Sequence, residues 1–333
     1  MDRAETPSPP AEGRAHGVVL ALAGGVGGAR MAQGLARVLA PGDLAIAVNV
    51  GDDFSHLGLS ICPDLDTVMY TLAGVHNPHT GWGRADETWN FLETLGRIGG
   101  ETWFRLGDHD LAVHVERTRR LREGESLSTA TAALCAGFGI AHAVFPVTDD
   151  TLRTRIDTDI GVLDFQDYFV RRQCAPVARA FHYSGADRAR PSPPLADLLG
   201  SGRLRAIVLC PSNPWLSLAP MFAVPALGAL LDARRVPVVA VSPIVGGAAV
   251  KGPAGKIMRE LGLSVDVSGI AQHYGDRVDG WMIDERDARH ATNLREQGRT
   301  VALADTLMTD AARSEALARE VLALLDRMPG PAV

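Results

Sequence analysis

Four carboxylates fall within fifteen residues of this sequence: Asp52 and Asp53 follow Gly51, and Asp64 and Asp66 lie in Pro63-Asp64-Leu65-Asp66-Thr67. Crowded carboxylates are costly unless a cation or a donor group satisfies them. Mg²⁺ suits such a set, because it takes one or two carboxylates and completes its shell with substrate phosphate oxygens. All four are candidate metal ligands. Asp66 also stands directly before the apolar stretch Val68 to Leu72, so capping a helix N-terminus is an open alternative for it.

Two glycine-rich segments accompany these acids. Gly24, Gly25, Gly27 and Gly28 surround Val26. Glycines let backbone N–H groups approach an anion closely, and a helix N-terminus adds a favourable dipole. The segment is a candidate phosphate cradle, or else a tight strand-to-helix turn. Arg30 occupies the third glycine position of the dinucleotide fingerprint, and no Lys-Ser/Thr pair closes a Walker A loop. The second segment runs from Ser242 to Lys256 and offers Gly246, Gly247, Lys251 and Lys256 for phosphate binding. It too lacks the Walker A spacing, because Val250 stands six residues before Lys256. Ser212 and Asn213, between Pro211 and Pro214, can clamp a base or phosphate, or belong to a proline-braced turn. Leu106-Gly107-Asp108-His109-Asp110, with His114 beyond, can bind metal, orient a substrate or move protons. A polar turn with helix caps is the plainer reading of that segment.

These residues need elements to hold them. Val18 to Ala23 and Leu44 to Val50 are apolar runs that predict strands, with a helix over Ala29 to Leu39 between them. Such a unit implies parallel strands joined by a right-handed crossover. Arg205 to Cys210 and Val236 to Val241 predict two more buried strands, separated by a helix over about 216–234, and residues 311–327 predict a closing helix with Leu317, Val321, Leu324 and Leu325 on one stripe. Residues 86–138 read as mainly helical, 141–147 and 177–183 as strands, and 157–169 as a hairpin. The fold class expected is α/β: a Rossmann-like, mostly parallel sheet flanked by helices. One domain over 17–330 carries a smaller, mainly helical inserted part at roughly 75–190. If the four strands are parallel, the loops GGVGG, NVGDD, PSNP and SPIVGG share one sheet edge, where ligands of open α/β sheets bind.

Composition narrows the function. The 333 residues are 46% hydrophobic and 22% charged, with a net charge of −6, which argues against a nucleic-acid partner. Cys62, Cys135, Cys174 and Cys210 form no CxxC pair and read as reduced packing residues of a cytoplasmic protein. The first sixteen residues read as a frayed tail, with no apolar run of a signal peptide or membrane helix.

The ordered series LAGGVGGAR, VNVGDD, ICPDLDTVMYTLAG, LGDHD, PVTDD, DFQDYFV, LCPSNPWLSLAP, VSPIVGGAAVKGPAGK, DERD and ADTLMTD spans residues 20–310. It resembles the 2-phospho-L-lactate transferase family. That resemblance implies transfer of a phospho-acid group (phospholactate, phosphoenolpyruvate or phosphoglycerate) from a GDP-activated donor to the ribityl hydroxyl of the deazaflavin Fo. GMP is released, and the product belongs to coenzyme F-420 biosynthesis. It also implies Mg²⁺, a homodimer, Asp64 and Asp66 as the catalytic pair, and Fo contacts from Asp66 and the LGD-basic-Asp motif. The basic position of that motif usually holds Arg or Lys; here it is His109. On this reading Asp66→Asn is expected to keep the fold and lose most transfer. The alternative is a regulatory protein of related fold that binds nucleotide sugars.

Overall fold

The computed structural model describes residues 17–328, so the expected N-terminal tail over 1–16 lies outside the described residues. Strand β1 (Val18–Ala23) enters the core fully buried and meets helix α1 (Gly25–Val38) after a single linking residue. β2 (Leu44–Val48) pairs parallel with β1 in unbroken register, Val19 opposite Leu44 through Ala23 opposite Val48. A short antiparallel hairpin follows, β3 (Phe54–His56) and β4 (Leu59–Ile61), and it leads into helix α2 (Pro63–Leu72). Helices α3 (Asn90–Arg97), α4 (Asp108–Arg122) and α5 (Leu127–Gly137) fill the span expected to be helical. The chain then returns to the main sheet in β5 (Ala143–Pro146), which pairs parallel with β2.

Three strands form a separate antiparallel sheet in the order β7-β6-β8: β6 (Arg153–Thr158), β7 (Gly161–Asp164) and β8 (Ala178–Ser184). The smaller part is therefore helical before β5 and a sheet after it, and β5 itself belongs to the main sheet. β9 (Leu204–Leu209) and β10 (Val238–Val241) continue the main sheet. Next comes a hairpin of β11 (Ile244–Val245) and β12 (Ala248–Ala249), and then β13 (Gly280–Asp284) and β14 (Thr300–Ala304). The central sheet has seven strands, all parallel, in the order β14-β13-β10-β9-β1-β2-β5. The α/β class and the shared edge of the four loops are thus as the sequence reading expects. Strand order reverses beside β1, so the switch point falls between β1 and β9.

The single helix expected over 216–234 is instead broken into Pro214–Leu218, Ala219–Phe222 and Pro225–Ala233. Pro225 lacks an N–H and its ring clashes with the preceding turn, so it opens a new helix rather than continuing one. The closing helix is Ala311–Arg327, with Leu317, Val321, Leu324 and Leu325 buried. It lies against α1 at Gly34, where an added Cβ would stand 2.1 Å from the Ser314 carbonyl oxygen. Cys62, Cys135 and Cys210 are buried and all four thiols are free. Among the described residues no single helix is long and apolar enough to cross a membrane.

Candidate functional site

The glycine loop sits at the switch point, closely packed at Gly24 and Gly28 and partly open over Gly25, Val26 and Gly27. A Cβ on Gly24 would stand 2.4 Å from Asp64 Oδ2, one on Gly27 2.3 Å from the Pro211 carbonyl oxygen, and one on Gly28 2.5 Å from Ser212 Oγ. Gly25 has a φ of +61°, a backbone state that favours glycine. The first four N–H groups of a helix have no acceptor within it. Here Gly24 N–H donates to Ser212 Oγ at 3.0 Å and Gly25 N–H to Asp64 Oδ1 at 2.7 Å. Val26 and Gly27 supply the remaining two. Ser212 thus joins the site by holding the loop. Asn213 caps the following helix, accepting from the N–H groups of Trp215 and Leu216 at 3.0 and 3.1 Å.

The acidic centre is organised by Asn49, fully buried at the end of β2. Its Nδ2 donates to Asp64 Oδ2 at 3.0 Å and to Asp52 Oδ1 at 3.2 Å, while its Oδ1 accepts from Gly51 N–H at 2.8 Å. Asp52 and Asp64 therefore face one another across one amide. Burial, then the neighbouring Asp64 charge, pushes the Asp52 carboxyl well above its usual range; burial also raises Asp64, and it raises Asp53 to about 7. Asp53 Oδ1 has no hydrogen-bond partner. Asp52 and Asp64, two buried carboxylates meeting at one amide, are oxygen donors of the kind a hard divalent cation takes.

Asp66 is not part of that centre. Residues two apart on a helix point about 200° apart, so α2 presents Asp64 to Asn49 and turns Asp66 toward α4. There Arg117, fully buried, grips Asp66 with both guanidinium nitrogens, Nη1 at 3.2 Å from Oδ2 and Nη2 on Oδ1. Burial works against the Arg117 charge, but Asp66 outweighs it and the guanidinium is held charged. His114 and Asp110 complete the group; the three residues Asp66, Asp110 and His114 bring ligand atoms within 4.8 Å of one another. Arg117 already supplies the cation there.

The LGDHD segment opens α4. Asp108 accepts from Thr88 Oγ1 and from the backbone N–H groups of Asn90 and Phe91, which caps α3; those bonds, that of Thr88 first, lower its carboxyl to about 2. His109 is exposed, and its backbone N–H donates to Glu87 at 2.9 Å. No contact joins its side chain to Asp66 or to the acidic centre.

The second glycine-rich segment forms a hairpin. Gly246 and Gly247, with φ of +60° and +79°, form the two-residue turn between β11 and β12, the geometry of a type I′ hairpin. Lys256 pairs with Glu260 and donates to the Pro176 carbonyl at 2.7 Å, tying its helix to the small sheet. Lys251 is the lysine near the first loop. Its Nζ donates to Thr80 O at 2.8 Å, and a Cβ on Gly81 would meet both that Nζ at 3.0 Å and a Val26 methyl at 2.6 Å. Burial, then the Arg30 charge, lowers the pKa of Lys251. A region with two cations and two unclaimed amides suits a phosphate.

Beside the acidic centre opens a cleft of about 590 Å³, lined by Asp52, Asp53, Phe54, Trp103, Arg153, Phe165 and Arg171 among others. The small sheet forms its far wall. Thr154 N–H donates to Gly51 O at 2.6 Å and Gln166 Nε2 to Asp52 O at 2.9 Å, so that wall is fastened to the Gly51-Asp52 turn itself. Arg171 lies over the Trp103 ring at 4.5 Å and Phe54 stands 6.1 Å from it. Sequence reading missed Asn49, Arg117, Trp103 and Arg171. Asn49 was findable, because a polar residue ending a buried strand needs a partner. Arg117 shares a helix face with His114 at a spacing of three, and the segment was read only as far as His114.

The carboxylates set a pH dependence. A carboxyl whose folded pKa is raised contributes stability that is fully present below its unfolded value and lost as pH rises through the folded value. Asp52, Asp53 and Asp64 all have this sign. His56, His76 and His273 are lowered and act oppositely, but they are neutral in both states above about pH 7.5. Referenced to an Asp53→Asn variant, which cancels the histidines, the metal-free protein is therefore expected to melt at a progressively lower temperature as pH rises from about 4 to about 7, with Mg²⁺ removing most of the difference. Thermal scans check this; a melting temperature that rises relative to that variant over that interval without metal contradicts it.

A family model described as 2-phospho-L-lactate transferase CofD matches residues 19–323. A phosphoenolpyruvate transferase of Streptomyces coelicolor is 39% identical over 316 residues, covering 93% of this chain and 98% of its own length. A 2-phospho-L-lactate transferase of Methanosarcina barkeri is 34% identical over 313 residues, covering 94% and 100%. A solved structure of a UPF0052-family protein from Bacillus halodurans superposes with a TM-score of 0.60 at 14% identity, covering 93% of this chain and 100% of its own, a likeness of fold alone.

Proposed function

This chain belongs to the 2-phospho-L-lactate transferase CofD family, and from that premise we propose that it transfers a phospho-acid group from a GDP-activated donor to the terminal ribityl hydroxyl of Fo. The observation that carries the reading is the acidic centre of Asp52, Asn49 and Asp64, set between a glycine loop and an aromatic cleft. Phosphoryl transfer is mostly positioning and charge neutralisation. Val26 and Gly27 N–H, with Lys251 and Arg30, hold the donor's phosphates. Fo enters the cleft, its planar ring against Trp103 and Arg171. Asp52 and Asp64 hold Mg²⁺, which when bound supplies charge neutralisation at the phosphate oxygens.

The hydroxyl oxygen forms its bond to the phosphorus that bears the acid, the bond from that phosphorus to the bridging oxygen breaks, and GMP leaves with that oxygen. Asp53, lining the cleft with an unpartnered oxygen, receives the hydroxyl proton. Because relatives at 39% identity carry the name phosphoenolpyruvate transferase, GDP-activated phosphoenolpyruvate is the first donor to offer.

The test is mass spectrometry of purified protein with Fo and Mg²⁺, each of the three GDP-activated donors being supplied in turn. Fo plus one phospho-acid, with an equivalent of GMP, supports the reading; no product from any of them overturns it. Trp103→Ala is expected to weaken Fo about tenfold or more, since stacking a planar base is worth about 1–3 kcal/mol. Fluorescence titration of Fo checks this, and unchanged affinity places the ring elsewhere.

A further inference from the structure

Helix α4 grips α2 at both of its ends. At the N-terminal end Arg117 closes on Asp66, while Arg117 Nη1 also donates to Ser60 O at 3.4 Å and Thr118 Oγ1 accepts from Ser60 N–H at 2.8 Å. The peptide that leads into α2 is thus held from both sides. At the C-terminal end the Tyr70 hydroxyl donates to Asp110 Oδ1 at 2.6 Å. His114 joins the two ends, 3.6 Å from Asp66 and 3.3 Å from Asp110. The later acids of PDLD and LGDHD therefore meet this buried clamp, while Asp64, the earlier acid of PDLD, reaches Asn49 and Gly25.

We infer that Arg117 is a positioning residue, whose closed pair with Asp66 fixes the rotation of α2 that delivers Asp64 to the Asn49–Asp52 centre and keeps Asp66 from competing for its cation. This rests on the reading of Asp52 and Asp64 as the Mg²⁺ site. Two acids share the first turn of α2, and a helix turned by two residues would exchange them. The fully buried Leu65, Val68 and Met69 hold one face of α2 to the core, and the partner on α4 keeps the charge of Asp66 from turning toward the centre. Losing Arg117 leaves Asp66 buried without its guanidinium partner, which drives the helix to turn or the carboxylate to seek the metal.

The test compares Arg117→Met, Asp66→Leu and the double variant by Mg²⁺ calorimetry with GDP present and by thermal denaturation. Replacing both charges of a buried pair with apolar groups is often neutral where removing one is not, and the cycle isolates the coupling. Arg117→Met is expected to weaken Mg²⁺ binding tenfold or more. The double variant is expected to return to within about threefold of wild type, at about 0.65 kcal/mol or less, and to melt above either single variant. A double variant that binds Mg²⁺ as weakly as Arg117→Met, or melts below both single variants, overturns the inference by giving Asp66 a direct task. Calorimetry needs neither Fo nor donor. A wild type that binds Mg²⁺ yet transfers nothing removes the proposed reaction and leaves this inference standing; one that binds no Mg²⁺ removes the metal site and the inference with it.

Discussion

Asp52→Asn is expected to lose transfer by on the order of 10²–10³ in kcat while raising the melting temperature of the metal-free protein. Both effects have one cause. Asp52 is buried beside Asp64, and its charge is disfavoured first by burial and then by that neighbour. The amide keeps the shape and can still accept from Asn49 Nδ2, which now reaches Asp52 at 3.2 Å. It removes one of two like charges and with it half of the cation site. Removing such functional strain commonly stabilises a protein by about 0.5–2 kcal/mol, a gain of about 2–4 °C per kcal/mol for a chain approaching this size. Steady-state kinetics and differential scanning calorimetry on one preparation check both halves. Undiminished kcat, or a lower melting temperature, contradicts the account.

Asp66→Asn is expected to do the reverse, destabilising the fold by about 3 kcal/mol or more. The loss arises because a fully buried Arg117 is left without its counter-charge. The motif alone leads to the opposite expectation, a folded protein that has lost its chemistry. Chemical denaturation separates the two outcomes. A midpoint within experimental error of wild type, with transfer abolished, would return Asp66 to the reacting centre. Recovery of stability on adding Arg117→Met would confirm the pair.

The contrast between Asp64 and Asp66 marks how far the sequence could be read. The β1–loop–α1–β2 unit was legible because each part is local: an apolar run, glycines, then a helical stripe. The common edge followed from parallel strands, and the central sheet has that arrangement. What a side chain meets across the fold is a different kind of fact. Arg117 is 51 residues from Asp66, and no spacing rule joins them. Gly246-Gly247 and Gly24-Gly25 look alike as text, yet one pair is a hairpin turn and the other a loop packed against Asp64. Lys251 and Lys256 look alike as text, yet a local helix turn pairs the second with Glu260 four residues on, while only tertiary contact sets the first beside Val26. Asn49 lies within VNVGDD, where its neutral side chain carries no local sign of the two carboxylates it bridges. A buried amide between two acids carries as much of the site as the acids themselves.

The most direct measurement is anomalous diffraction from crystals soaked with Mn²⁺ and GDP, the Mn²⁺ standing in for Mg²⁺. The acidic centre and the Asp66–Asp110–His114 group are both built from ligand-type side chains, but in the second a buried guanidinium already grips the carboxylate, while Arg153 acts on Asp52 and Asp53 only through its charge from the cleft wall. The account predicts one strong peak between Asp52 and Asp64. A peak at Asp66, Asp110 and His114, with Arg117 displaced, would contradict it and move the reacting centre to the far face of α2.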